Sequence, residues 1–155
     1  MENPSAPLSA NRSAVRPRRV PAFVPVPVRG RRDGWTPERQ GAFLVALART
    51  RSVRAAAQCV GMTRETAYRL RRHADAASFA GAWDIVLGRA APGRRKVTPD
   101  ELATRALVGL VRPVVHAGRF VALVKKADNS ALLRLFAQLD RACRGTGARL
   151  PDRQR

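Results

Sequence analysis

The stretch VRAAAQCVGMTRETAYRLRR, residues 53–72, decides how the whole chain is read. Two short helical segments flank a glycine. Ser52 caps the first and Thr63 the second, since a hydroxyl oxygen there satisfies an orphan backbone N–H. Ala56 and Ala57 are small enough for two helices to touch at a steep angle. Gly61 supplies the positive φ of a tight turn. Val60, Met62, Ala67 and Leu70 then share an apolar seam. This leaves Thr63, Arg64, Glu65, Tyr68, Arg69 and Arg72 on an outer, polar face. The pattern is that of a helix-turn-helix, whose second helix presents side chains to the major groove of DNA.

Each outer residue has a role in that setting. Thr63, Arg64, Glu65, Tyr68 and Arg69 are the base-reading candidates, with Arg64 or Arg69 the best, because a guanidinium bonds two acceptors on a guanine edge. Glu65 either accepts from cytosine N4 or orients Arg69 four residues on. Tyr68 reaches a phosphate or a thymine methyl. Thr63 suits a phosphate at the helix N-terminus. Arg51, Arg54, Arg71 and Arg72 are the candidates for the phosphate backbone. From Arg49 to Arg72 there are seven arginines and one acid, whereas a merely solvated face mixes signs. A plain three-helix bundle would also use small residues and a turn glycine. It would not also require the outward bases.

Outward from this core, the segment 35–90 is expected to form a bundle of about four helices. Thr36 and Pro37 open the first, with Phe43, Leu44 and Leu47 on one face. A fourth runs from about residue 76 to 89 and carries Phe79, Trp83, Val86 and Leu87. APGRRK is a loop and a lobe boundary. Residues 98–143 then form a helix-hairpin-helix lobe. Thr98 and Glu101 make a capping box, and the helix buries Leu102, Ala106, Leu107 and Leu110 before Pro113 stops it. PVVHAGRFVALVKK, broken at Ala117-Gly118, is a β-hairpin. Leu132, Leu135, Phe136 and Leu139 mark a last helix. Residues 144–155 are a basic tail. The fold class is mainly α.

Residues 1–34 hold six of the eleven prolines and seven arginines. Proline prevents a helix, and the apolar residues of PAFVPVPV are too few for a core. The segment is therefore expected to be a disordered basic arm. It either adds phosphate or minor-groove contacts or is a solvated tail.

The bulk numbers agree. The 155 residues are 45% apolar but only 5% aromatic, which favours small helices. Thirty basic residues against eleven acids give a formal charge of +19. Such a chain seeks a polyanion. GC-rich coding explains why 27 of the bases are arginine, but not their excess over acids. No basic amphipathic helix suits a membrane surface, and no apolar run approaches a membrane span. No signal peptide is visible, so a cytoplasmic, nucleoid-associated protein is expected. Cys59 and Cys143 fall in apolar stretches and read as buried free thiols. With only His73 and His116 no zinc set assembles, and no cofactor is expected.

The run WTPERQGAFLVALARTRSVRAAAQCVGMTRETAYRLRRHADAASFAGAWDIVL resembles a family of small helix-turn-helix proteins of alphaproteobacteria, some of which resemble the DNA-binding part of phage terminase small subunits. PVVHAGRFVALVKKADNSALLRLFAQLDR is similar to the family's second half. The similarity spans about residues 35–141. It implies DNA binding through the third helix, here Thr63 to Arg72. Arg51 departs from the pattern, standing where a turn glycine is often found, as do the loop APGRRK and the basic arm.

The leading expectation is a transcriptional regulator or a nucleoid-type binder of double-stranded DNA. It would be a homo-oligomer, dimerising through the C-terminal lobe so that two recognition helices lie one DNA turn apart. The alternative is a terminase small subunit that recognises a packaging site as a ring. An enzyme is not expected. Asp100 and Glu101 are explained by capping, no carboxylate cluster suits two metals, and His116 has no evident nucleophile beside it.

Overall fold

Local caps set most helix starts. The computed structural model describes residues 19–29, 33–90 and 97–146, with side chains to residue 144. Helix α1 spans Pro37–Thr50, with the Thr36 hydroxyl accepting from the Arg39 N–H. It ends on Arg51, held at φ 57. Helix α2 is Val53–Cys59, capped by Ser52, and α3 is Arg64–Arg71, capped by Thr63. A 3-10 turn, Ala74–Ala76, leads into α4, Ala77–Leu87. Helix α5 is Pro99–Leu107, with the Thr98 hydroxyl accepting from the Glu101 N–H. Strands β1, Leu110–His116, and β2, Arg119–Lys126, pair antiparallel. Helix α6 is Asn129–Thr146. The chain is thus mainly helical with one two-stranded sheet.

Helix α1 is the hub, buried from Gln40 to Ala48 except for Ala42. Phe43, Leu44 and Leu47 are fully buried, as the spacing predicts. Phe43 meets Trp83 of α4 with ring centroids 4.9 Å apart, and Trp35 edge-on at 5.4 Å. Ala56 and Ala57 bring α2 onto the same core. On another side α1 receives the hairpin. A Cβ added to Gly41 would lie 2.6 Å from Leu123 Cδ2 and 3.2 Å from Phe120 Cε2, so only glycine admits so close an approach. Phe120 and Leu123, three apart, share that inner face because Val121 has no partner in the register. It is a bulge, and it resets the two-residue alternation.

Four expectations need correction. The first is the disordered arm. Val20, Phe23, Val24 and Val26 are buried, and Phe23 completely so. Phe23 exchanges both backbone hydrogen bonds with Val111 of β1, at 3.0 and 2.9 Å. The buried amide of Gln40 holds the same strap. Its Oε1 accepts from Val26 N–H at 2.8 Å, and its Nε2 donates to the carbonyls of Val26 and Trp35 at 3.0 Å. PAFVPVPV is too small to make a core of its own, but it completes one built by α1, α4 and the hairpin. Residues 1–18 of the expected arm lie outside the described residues, as do 30–32 and the loop 91–96.

The second correction is the helix expected to run to Pro113. It ends at Leu107, and the backbone turns at Gly109 with φ 82. Leu107 is exposed, and Leu110 begins a strand. Pro113 sits inside β1 without cost. Val111 directs its N–H and C=O to Phe23, so Pro113, two residues on, would direct its missing N–H to that same outer edge. The third is the lobe boundary at 91–97. Packing crosses it, because Val111 and Phe120 lie against the core of the first helices. The fourth is the cysteines, which are free but both exposed. The tail expected from residue 144 begins as helix, and 147–155 lie outside the described residues. Among the described residues no helix is long and apolar enough to cross a membrane.

The second half is joined by an ion pair. Arg105 of α5 donates through Nη2 and Nε to Asp128 Oδ2, at 2.7 and 2.9 Å. Asp128 also caps α6, accepting from the Ala131 N–H at 3.0 Å. Burial pushes its carboxyl up. The Ala131 N–H and the Arg105 and Arg134 charges outweigh that and hold it below the usual carboxylate range.

Two outcomes are expected. Phe23→Ala will lower the unfolding free energy by about 3–5 kcal/mol in denaturant titration, the cost of a fully buried Phe. A loss under about 1 kcal/mol would show that the strap is not core. For Asp128 the folded carboxyl titrates below the unfolded one. Its stabilisation is therefore full at neutral pH and fades as the pH falls below about 4. Asp128→Asn will be less stable at pH 7 and will show a flatter acid limb. An unchanged acid limb would remove Asp128 from the account.

Candidate nucleic-acid interface

Helices α2 and α3 meet around a turn fixed by backbone bonds. The N–H groups of Val60 and Met62 both donate to Ala57 O, at 3.1 and 2.9 Å. Gly61 between them has φ 70, a conformation most side chains avoid. Ala67 and Leu70 bury the inner face of α3, and Val60 and Met62 are half-buried beside them. The apolar seam read from the sequence is therefore present.

What faces outward is cationic. Arg64, Glu65 and Arg69 are exposed on α3 and Arg72 at its C-cap, and Arg54 and Gln58 on α2. Among the described residues none of these four arginines forms an ion pair. An open groove of about 740 Å³ runs along α3, lined by Arg64, Glu65, Tyr68, Arg69, Arg71 and Arg72. A second, of about 390 Å³, lies between α2 and α3 and is lined by Arg54, Gln58, Thr63 and Arg64. The two grooves flank the first turn of α3.

Two of these charges are placed against the interest of the fold. A helix N-terminus carries partial positive charge, and a cation there is unfavourable by a few tenths of a kcal/mol to about 1. Arg64 is the first residue of α3, and Arg54 is the second of α2. Helix α2 has no acid in its first turn to offset this, whereas α3 has Glu65 next to Arg64. An anion seated between the two helix starts would meet both the dipoles and the guanidiniums.

Not every candidate stands on that surface. Arg51 is held in the left-handed cap of α1, and its Nη1 donates to Val86 O at 2.7 Å. Arg71 lies at the wall of the α3 groove but is committed to the fold, where Nη2 donates to both oxygens of Asp84, at 2.8 and 3.0 Å, and Cζ lies 5.5 Å from the Trp83 ring centroid. These two arginines build the fold. Tyr68 is half-buried between Trp83, 5.6 Å away, and the guanidinium of Arg64, also 5.6 Å away. It positions Arg64 more than it reaches out. Thr63 spends its hydroxyl on the helix cap, accepting from Thr66 N–H at 3.3 Å. Glu65 makes no ion pair with Arg69 among the described residues, so it is open to an outside donor. Gln58 is the residue the sequence reading missed. Its spacing of four from Arg54 was the available signal.

Comparison of the chain with family models, with curated proteins and with solved structures returns no match. Function is therefore read from this geometry. The division between structural and free arginines is testable. A double-mutant cycle on Arg71→Met and Asp84→Asn will give a coupling of about 1 kcal/mol in unfolding, the upper range for a partly exposed pair. A coupling near zero would return Arg71 to the free group.

Proposed function

We propose that the chain binds double-stranded DNA through a helix-turn-helix formed by α2 and α3, and acts as a transcriptional regulator. The observation that carries this reading is the pair of arginines at the positive ends of α2 and α3, beside two open grooves. Phosphate beside Arg54, whose helix has no acid in its first turn, would relieve that charge, and Arg64 stands at the mouth of the same groove. Arg64 and Arg69 read base edges, and Glu65 accepts from an exposed base amine. Arg54 and Arg72 grip the backbone, and Gln58 adds a donor and an acceptor at the same edge. The formal charge of +19 supplies the sequence-independent part of the affinity. No catalytic step belongs to this reading.

The test is selection of bound sequences from a random duplex library, with the wild type and Arg64→Ala/Arg69→Ala side by side. The wild type will enrich a defined motif and the double variant will lose it. Arg54→Ala will instead weaken all sequences alike and reduce the log–log salt slope by about 0.9. Tight binding that enriches nothing would overturn sequence reading by α3 and make the protein a nonspecific coater. A palindromic motif fits a dimeric regulator, and direct repeats fit a ring of the terminase kind.

A further inference from the structure

One cationic surface lies outside the two grooves that flank α3. The last turn of α1, the end of α2 and the tip of the hairpin line a further open groove of about 430 Å³. Its cations are Arg49 and Arg119, both exposed and far apart in the chain. Among the described residues no acid lines this groove, and neither arginine forms an ion pair. Arg49 has a local reason for its place, since a cation is favourable in the last turn of a helix. Arg119 has none. It opens β2 directly after the Ala117-Gly118 turn, opposite His116, on a hairpin whose sequence contains no acid. Like charges gathered in one groove repel, and an anion between them relieves both.

The lining says what kind of anion. Val45 and Ala46 are buried in the floor, and Phe120 is half-buried beside them. A ligand that carries carbon surface next to its charge suits such a lining better than a bare oxyanion does. A sugar-phosphate has both parts. The position of the groove says where that group comes from. The groove takes Cys59 and Val60 from the end of α2, whereas the groove of Arg54 and Arg64 takes Gln58 and Met62. The two open on adjoining sides of one helix end, around the Gly61 turn. A helix with its side chains is about 10 Å across. At a rise of about 3.4 Å per nucleotide, the grooves are roughly three steps apart along a strand.

We infer that the groove of Arg49 and Arg119 holds a sugar-phosphate of the same duplex, about three nucleotides from the phosphate at Arg54. The hairpin tip thereby lengthens the footprint of the helix-turn-helix. The contact carries no base information. It adds affinity and fixes the angle at which α3 enters the major groove. This inference rests on the DNA-binding reading.

Cys59 is exposed in this groove, so its thiol reports occupancy. In a Cys143→Ser background, duplex at about ten times its dissociation constant will slow alkylation by neutral iodoacetamide about tenfold, as the free fraction falls. Arg49→Ala/Arg119→Ala, at the same multiple of its own dissociation constant, will bind duplex with Cys59 unprotected. That double variant will select the same sequence motif as the wild type. Its log–log salt slope will be lower by about 0.9 to 1.8, for one or two phosphates lost. Arg134→Ala/Arg141→Ala removes as much charge from α6, which lines none of the three grooves, and will leave the slope unchanged. Inorganic phosphate at equal ionic strength will give no protection. Phosphate that protects as well as duplex would make this a small-anion site and overturn the proposal. So would equal slope changes from the two double variants. Free alkylation of Cys59 in a complex that still depends on Arg64 and Arg69 would overturn it too, while leaving DNA binding by α3 in place. A chain with no affinity for duplex would defeat both readings at once.

Discussion

The ring of Trp83 is fully buried, with its centroid 4.9 Å from that of Phe43 and 5.6 Å from that of Tyr68, and this contact set ties three helices together. Phe43 belongs to α1, Trp83 to α4 and Tyr68 to α3. Phe79 adds the N-terminal strap through Phe23, ring centroids 6.0 Å apart. Helix α3 has only eight residues, too few to be stable alone. Its place is set by what it touches, which is Trp83 through Tyr68 and Arg71, and α2 through the Gly61 turn. The outward angle of Arg64 and Arg69 is thus decided on the inner side, by an aromatic ring that no ligand would reach.

Much of this fold is written in local signals. Thr36, Ser52, Thr63 and Thr98 each start a helix because a hydroxyl three residues ahead of a backbone N–H can do so anywhere in a chain. Ala117-Gly118 makes its hairpin because both residues sit at positive φ, 46 and 75. The misreadings concern what local period does not carry. PAFVPVPV looks like a linker until α1 and β1 exist to receive it. The end of α5 looked extendable because Leu107 and Leu110 fit a helical period. That period carries no information that Gly109 will break it to feed a strand. The thiols were misplaced because an apolar stretch does not say which of its faces is covered.

The interface divides along the same line. Periodicity was enough to place Arg64, Glu65 and Arg69 outward and Ala67 and Leu70 inward. It was not enough to sort the arginines by duty. Arg51 finds its acceptor 35 residues away and Arg71 its carboxylate 13 away, and nothing near either residue announces them. An arginine with a distant partner and one awaiting phosphate look alike in a sequence. The distinction is one of packing, and it appears only when the whole core is assembled.

The strap gives the molecule a direction in time. Phe23 is made early, and its strand partner Val111 is made late, after all four helices of the bundle have been synthesised. Until then β1 does not exist to pair with Phe23, and the strap is held only through Gln40 of α1 and the Phe79 and Ser78 side chains of α4. The first residues of the core are therefore among the last to be locked, and they close the chain on itself much as a clasp closes a strap. Contacts of such long sequence separation slow folding, because the loop must be closed before the contact rewards it. A chain interrupted before residue 111 would leave uncovered the side of α1 at Gly41 that receives Phe120 and Leu123.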